Sequence, residues 1–385
     1  MQSSQDWTSL RREFPTLDAK TYLNSCSLGL LSRRTRAAMD HYMDQWTELG
    51  AGAWYSDWMN EVAELRQGFA SVINADPDEI AIMPNISVAL TSIASCLQLG
   101  EGDNVVTTAL DFPTVPHQFH AKGGMGVETR VIQPRDKIEV DLEQFESAID
   151  ERTKLVATSH VYFTSGFIQD VAAVTEIAHR HGTLAFIDDY QATGQVPIDV
   201  KAQGIDMLAS GGLKWLLGGT GVVYLYVRRD LIDQLEPTVT GWFGNRDQFE
   251  FNPNEMVFKE DAGRFEMGTP SVAAIFAGAE GLRIVNEIGP EAIRERTSEL
   301  TQILVSGLRE EGFTLRCPED AQRHASITMV EMEDPARMVD ELMKRDFILD
   351  FRPGAIRLSP YFYNTPDEIR AVVAAMTEIR NALEL

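Results

Sequence analysis

The centre of the chain alternates short apolar segments with amphipathic ones, and this constrains the fold more than any other feature. Apolar runs at 104–108, 128–132, 154–159, 183–187, 206–209 and 221–227 read as strands. Helical spacing of apolar residues lies between several of them, at 86–98, 141–149 and 170–181. Apolar strands separated by helices predict a mainly parallel sheet covered on both faces, an α/β fold in three layers, α/β/α. Ligands of such sheets bind beyond the carboxyl ends of the strands. The residues just after each apolar run are therefore the first candidates for function.

The pattern changes after residue 270. Helical stretches at 271–287 and 290–311 lead to short strands near 313–317, 324–330, 346–350 and 355–358, and a helix at 366–383 follows. We expect a large domain over 21–265, a smaller C-terminal α+β domain over 266–385, and an N-terminal segment, 1–20, packed on the smaller one. The stretch 237–265, rich in Gly, Asn, Pro and Phe, reads as a long ordered loop, and loops of that length are usually functional.

Bulk properties exclude several classes. The net charge of −24 would repel a polyanion, so no nucleic-acid partner is expected. No apolar run approaches the ~18 residues of a membrane span, and the N-terminus lacks the apolar core of a signal peptide. A cytoplasmic location follows by default. Cys26, Cys96 and Cys317 show no metal spacing, and the pairs His117/His120 and His179/His181 have no acid or cysteine cluster beside them, so no metal is expected.

Two strand ends carry the chemistry. Asp188 closes the run TLAFI, and Lys214 stands 26 positions later in GGLKWLL, between a glycine turn and apolar residues. The chain has only eight lysines, so few compete for a special role. Taken alone, Lys214 reads as a solvated surface lysine. Its apolar and glycine neighbours favour burial, which lowers a lysine's pKa toward that of a nucleophilic amine. A lysine that can hold a cofactor as a Schiff base, beside an acid that keeps a pyridine nitrogen protonated, is the pairing pyridoxal 5′-phosphate needs. Facing a pyridinium, Asp188 is expected to titrate well below its ordinary value.

With Asp188, Gln191 and Lys214 in place, the chain resembles the class V aminotransferase family, fold type I pyridoxal-phosphate enzymes that include kynureninases, cysteine desulfurases and isopenicillin epimerases. The resemblance runs from about Tyr22 to Asn381. It rests on YLNSCSLG at 22–29, PNISVAL at 84–90, DFPT at 111–114, IDDYQATGQVPIDV at 187–200 and GGLKWLLGGTG at 211–221. GWFG at 241–244, RFEMGTP at 264–270 and IRLSPYFYNTPDEI at 356–369 complete the set.

Several roles follow from that resemblance, each beside a plainer reading. Ile86 and Ser87, behind Asn85, open a helix whose free N–H groups suit a phosphate; Ser87 is otherwise part of an ordinary helix start. Phe112 is implied to stack on the cofactor ring, and otherwise belongs to a core. Gln191 is implied to bind the ring's phenolic oxygen, and otherwise starts a helix. Thr269 is implied to reach the phosphate of a neighbouring subunit, making a homodimer with shared active sites; otherwise GTP is a turn. Arg357 is implied to clamp the substrate α-carboxylate with its bidentate fork, and otherwise is a strand surface residue. Asn24, Ser25, Tyr162, Phe163 and Trp242 suggest a partly aromatic substrate pocket.

The chain departs from its relatives in places. The region before Arg357, DFILDFRPGAIR, has no cysteine, and Cys26 and Cys317 lie far off in sequence, which speaks against ordinary desulfurase activity. Kynureninases carry an aspartate where this chain has Val115, a histidine at Gln191 and a tyrosine at Leu213. One phosphate ligand is thereby missing, and Ser210 is the candidate substitute. The resemblance implies action on an α-amino acid through an external aldimine and a Cα carbanion. A lyase-type outcome (β-elimination, C–S or C–C cleavage) comes first, transamination to a 2-oxo acid second, and an epimerase or a non-catalytic homologue behind them.

Overall fold

The computed structural model describes residues 5–383. Seven strands form the main sheet, in the spatial order Ile80–Met83, Val223–Val227, Met207–Gly211, Leu184–Asp188, Thr153–Ser159, Asn104–Thr108 and Glu128–Ile132. The last five run parallel to one another, while Val223–Val227 is antiparallel to both of its neighbours. The expected mainly parallel α/β sheet is therefore present. Its antiparallel edge strand Ile80–Met83 escaped the sequence reading, because four residues just ahead of a helix give little period to detect.

The inner strands are buried almost throughout because both faces are covered, while the edge strand Glu128–Ile132 is largely open. Ile80, Ile82, Leu208, Tyr224 and Tyr226 point into one core, with the helices Met59–Ile73 and Val272–Ile288. Ala81, Met83, Met207, Ala209, Val223 and Leu225 point into the other, with the helix Ile86–Cys96. Helix Val272–Ile288 begins after residue 266, the expected start of the smaller domain. It nonetheless packs on Met59–Ile73 and on Arg33–Leu49, against the large sheet, where its Ala274, Ile275, Leu282 and Val285 are buried.

A second sheet of four antiparallel strands, Asp350–Arg352, Ala355–Leu358, Thr328–Glu331 and Leu315–Arg316, is backed by Pro290–Glu310, Pro335–Met343 and Pro366–Leu383. The N-terminal segment crosses to it. Arg11 pairs with Glu368, Phe14 packs on Phe362 and Tyr363, and Thr21–Tyr22 pairs in parallel with Phe347–Ile348. Leu23 is buried in the core of the small sheet. The strap that follows, 24–29, then runs between the two sheets. Stretch 237–265 contains only three short 3₁₀ turns and no strand or α-helix. Among the described residues no helix is long and apolar enough to cross a membrane.

Candidate active site

Asp188 and Lys214 meet at the carboxyl ends of adjacent parallel strands. Asp188 ends Leu184–Asp188, and Lys214 stands three residues after Met207–Gly211 in a tight turn. Gly211 permits that turn to close on the site: a Cβ there would lie 2.4 Å from the Tyr190 ring. Together with Ile86, Phe112, Phe163 and Gln191, these residues line a mostly apolar cavity of about 200 Å³.

Each wall has a local cause. Asp111 is buried and accepts hydrogen bonds from Thr108 N and Ser159 N at 2.7 and 2.6 Å, and from the Thr107 and Thr158 hydroxyls. It staples the DFPT loop across two strand ends and presents Phe112 to the cavity, 47% exposed, edge-on to Phe163 at 5.3 Å. Asn85 caps the helix Ile86–Cys96 through Val88 N at 2.9 Å, leaving the first N–H groups directed at the cavity mouth. Ser87 is exposed there, and its hydroxyl pairs with Thr114. Gln191 is held from both ends: its Nε2 donates to Cys26 O at 3.1 Å and its Oε1 accepts from Trp215 Nε1 at 3.0 Å. One amide hydrogen is left over.

The charges in this cavity are pushed toward neutrality. Burial lowers the Lys214 ammonium to about 8; Cys26 and Asp188 oppose that shift, while Arg357 and Arg352 add to it. The Lys214 ammonium sits 4.8 Å from the centre of the Tyr190 ring, which gives it a face to rest on. Burial raises Asp188 to about 7, against a hydrogen bond from Tyr190 N and the attraction of Lys214. The low value expected for Asp188 requires an opposing cation stronger than Lys214 alone, since in the protein by itself desolvation prevails.

The strap completes the site from the other side. Gly29 N donates to Leu213 O at 2.9 Å, and a Cβ on Gly29 would lie 2.1 Å from Lys214 O, so only glycine lets the strap rest on the lysine turn. Cys26 N donates to Ser359 Oγ at 3.0 Å, and the Cys26 thiol acts on both Lys214 and Arg357. Sequence distance hid this: Cys26 is remote from Arg357 along the chain and adjacent to its sheet in space. Ser25 is fully buried and turned toward the Tyr363 hydroxyl, 2.7 Å away. Asn24 bridges to Ser359 and receives the Cys26 thiol at 3.9 Å.

Arg357 is 1% exposed and does not present a free fork. Its Nε and Nη2 donate to the two oxygens of Asp350 at 3.0 and 2.8 Å, and Nη2 also donates to Ser27 Oγ at 2.6 Å. Asp350 lies directly across the antiparallel pair from Arg357. Sequence reasoning had Asp350 and Ser27 in view and gave neither a role. The hairpin register would have exposed the pairing: the strands on either side of Pro353-Gly354 bring residues 350 and 357 face to face.

Four of the candidates are not brought to the cavity. Ser210 is buried and donates to Asp189 O at 3.3 Å. Thr269 and Trp242 line a separate cavity of about 830 Å³ with Trp54, Tyr55, Phe249 and Phe251. Tyr162 is buried in a core beneath the site, stacked on Phe167. Among the described residues no cluster of three or more His, Cys, Asp or Glu is placed to hold a metal ion.

Residues 21–372 match the family Aminotransferase class-V. The chain belongs to the class V aminotransferase family. It is a pyridoxal-phosphate enzyme by that membership. An uncharacterized aminotransferase of Bacillus subtilis, YcbU, is 37% identical over 94% of this chain and 95% of its own length. A kynureninase of Geobacillus thermodenitrificans is 28% identical, over 96% of this chain and 90% of its own. A probable cysteine desulfurase of Methanothermobacter thermautotrophicus is 27% identical, over 96% and 97%. The class V fold is matched in space by the apo cysteine desulfurase of Thermococcus onnurineus, with a TM-score of 0.90 at 24% identity over 99% of this chain and 100% of that one.

The cavity fits the family's cofactor. It is flat-walled and apolar between Phe112 and the strand ends, with an amine at one side, a buried carboxylate at its floor and helix N–H groups at its mouth. Lys214, Asp188, Gln191, Phe112 and Ile86 line one space that a planar, phosphorylated pyridine can enter, with Ser87 next in sequence to Ile86.

Proposed function

We propose that the chain is a cytoplasmic, homodimeric enzyme that breaks a bond at or next to the Cα of an α-amino acid, with a lyase-type outcome. The convergence of Lys214 and Asp188 in an apolar cavity is the observation that carries this reading. Pyridoxal phosphate bound there supplies the electron sink. Lys214, lowered to about 8, is matched to give and take a proton at Cα near neutral pH. Asp188 would hold a proton on the ring nitrogen, Phe112 would cover the ring, and the helix start at Ile86 and Ser87 would take the phosphate. Arg357 orients the substrate carboxylate.

The lyase outcome is supported by relatives named kynureninase and probable cysteine desulfurase. A transaminase outcome is the second reading, favoured by the 37% identity to a protein named as an aminotransferase. The absence of a cysteine from 346–357 speaks against the desulfurase version. In this reading residues 21–265 form the cofactor-binding body, joined by helix Val272–Ile288, and the remaining C-terminal residues form the smaller one with the N-terminal segment.

The dimer is supported by the second cavity. Tyr55 is 89% exposed and Phe251 74%, beside Phe249, Trp242 and Met59, an apolar patch too large to favour solvent. Thr269 lines that cavity, and in this reading it reaches the phosphate of the neighbouring subunit. Incubation with a panel of amino acids separates the outcomes. Ammonia or a cleaved side chain marks the lyase, pyridoxamine phosphate with a 2-oxo acid marks the transaminase, and no product from any amino acid sinks both.

A further inference from the structure

The site has a charge balance that the family roles do not account for. Asp350 accepts from Arg357 twice, from the Ser27 hydroxyl at 2.6 Å and from Arg352 Nη1 at 3.1 Å. The two guanidiniums hold its carboxyl below the usual range against the opposing effect of burial, so it is ionised at neutral pH. Two cations and one anion leave one net positive charge. The group stands against the cavity wall through the strap: Arg357 Nη2 donates to Ser27 Oγ at 2.6 Å, and two residues on, Gly29 N donates at 2.9 Å to the carbonyl of Leu213, which lines the cavity.

Donor geometry gives the same count. Among the described residues, Arg357 Nη1 has no hydrogen-bond partner, since Asp350 and Ser27 occupy the Nε and Nη2 side. Arg352 is half-buried and uses only Nη1, on Asp350 and on Phe351 O. What remains is one free edge on a buried guanidinium and a second, more exposed cation beside it. Asp350 is held in place by four hydrogen bonds, two from Arg357 and one each from Ser27 and Arg352, on a strand that pairs directly with Arg357. Apart from Lys214, the cavity lining holds no cation: Ile86, Phe112, Val161, Phe163 and Leu213 are apolar, and Asp188 would repel a second carboxylate.

We propose that Asp350 is a specificity-determining residue. By neutralising one of two arginines, it sets the site to accept an amino acid with one carboxylate and a neutral, apolar side chain, and to refuse acidic amino acids. Removing the Asp350 charge frees a second cation that a side-chain carboxylate can use. Specificity here is a difference between two affinities, and the unneutralised charge is the element that changes it.

The inference rests on the amino-acid reading above, and its test separates the two. L-Norvaline and L-glutamate have the same length and differ by one carboxylate. Their dissociation constants are measured from the cofactor absorbance band of the loaded enzyme, without reference to turnover, in wild type, Asp350→Asn and Arg352→Gln. Wild type is expected to favour norvaline. Asp350→Asn should move the norvaline-to-glutamate ratio about tenfold or more toward glutamate, and Arg352→Gln, which removes a cation, should move it the other way. A ratio unchanged within about threefold in both variants, or moved in the same direction by both, overturns the proposal. If Asp350→Asn does not fold, the half-exposed Arg352→Gln still decides it. If neither probe perturbs the wild-type band, the amino-acid reading itself fails.

Discussion

The two sides of the site hold buried charge in opposite ways. At the edge of the large sheet, Lys214 and Asp188 lie in an apolar cavity with few partners, and burial drives each toward its neutral form. At the edge of the small sheet, Arg357 is buried as deeply but is locked to Asp350 and Ser27, and its charge is kept. A buried charge without partners is costly, and one that is paired and hydrogen-bonded is tolerated. The difference assigns the labour. In the proposed function the unpaired side receives a group that supplies the missing charge, and the paired side is the frame against which a substrate is aligned.

The largest test of that contrast is Lys214→Ala. If the unpaired amine is the proton carrier, turnover of any accepted amino acid should fall by at least about 10²–10⁴-fold. Borohydride reduction of the wild type should fix the cofactor on the Lys214 peptide alone. Label on another of the eight lysines would transfer the role elsewhere.

Arg357→Ala attacks the paired side. It leaves Asp350 partly buried with only Arg352 and the Ser27 hydroxyl beside it, so the protein should lose about 3 kcal/mol of stability, read as a lower urea midpoint. Amino acids should bind less well, while the matching amines, which lack a carboxylate, should be unaffected. An equal loss for both would mean that Arg357 serves the frame and not the substrate.

A smaller effect distinguishes the two sides by pH. The folded-state pKa of Asp188 is raised from 3.8 to about 7, so its native form binds more protons than the unfolded chain between those values. Stability from this group is full below about pH 4 and lost as pH rises through about 7. In cofactor-free protein, Asp188→Asn should therefore gain on wild type as pH climbs from 4 to 7, by about 2 kcal/mol, once coupling to Lys214 is allowed for. Thermal unfolding of both proteins at several pH values measures it. A constant difference would mean that Asp188 is already satisfied in the protein. The loaded enzyme should show the opposite sign, because a ring cation would lower the same pKa.

The smallest effect concerns the neighbouring copy. Thr269→Ala should weaken cofactor binding by about 1 kcal/mol, the loss of one hydrogen bond. In dimers mixed with Lys214→Ala chains, that weakening should follow the intact lysine's neighbour. Mixed dimers that behave as the plain average of their parents would place Thr269 outside any shared site.

The large sheet was legible in the sequence because its strands are buried on both faces and its helices are amphipathic, so the period of each segment declared itself. Lys214 and Asp188 were legible for the same reason: a charged residue at the end of an apolar run has few explanations. The small sheet's side of the site was not. Asp350 and Ser27 are ordinary polar residues whose meaning comes only from a hairpin register and from a strap hundreds of residues upstream. Ser210 illustrates the converse. It is close to Lys214 in sequence, but strand alternation and the Asp189 carbonyl turn its hydroxyl away. Proximity along a strand is a poor guide to which face a side chain serves.

The strap has a consequence for the order of events in synthesis. Cys26 N is bonded to Ser359 Oγ across 333 positions of chain, and Thr21–Tyr22 waits for Phe347–Ile348. Domains form from the N-terminal side as the chain emerges from the ribosome. Here a segment made more than 300 residues before its partners waits for them to find its place. The large sheet can assemble while translation continues, but the wall that carries Cys26 and Ser27 stays unmoored until the final strands are out. The chain therefore cannot complete this cavity by degrees during its own manufacture: the lysine turn can fold before the strap that closes against it finds Ser359 and Phe347–Ile348.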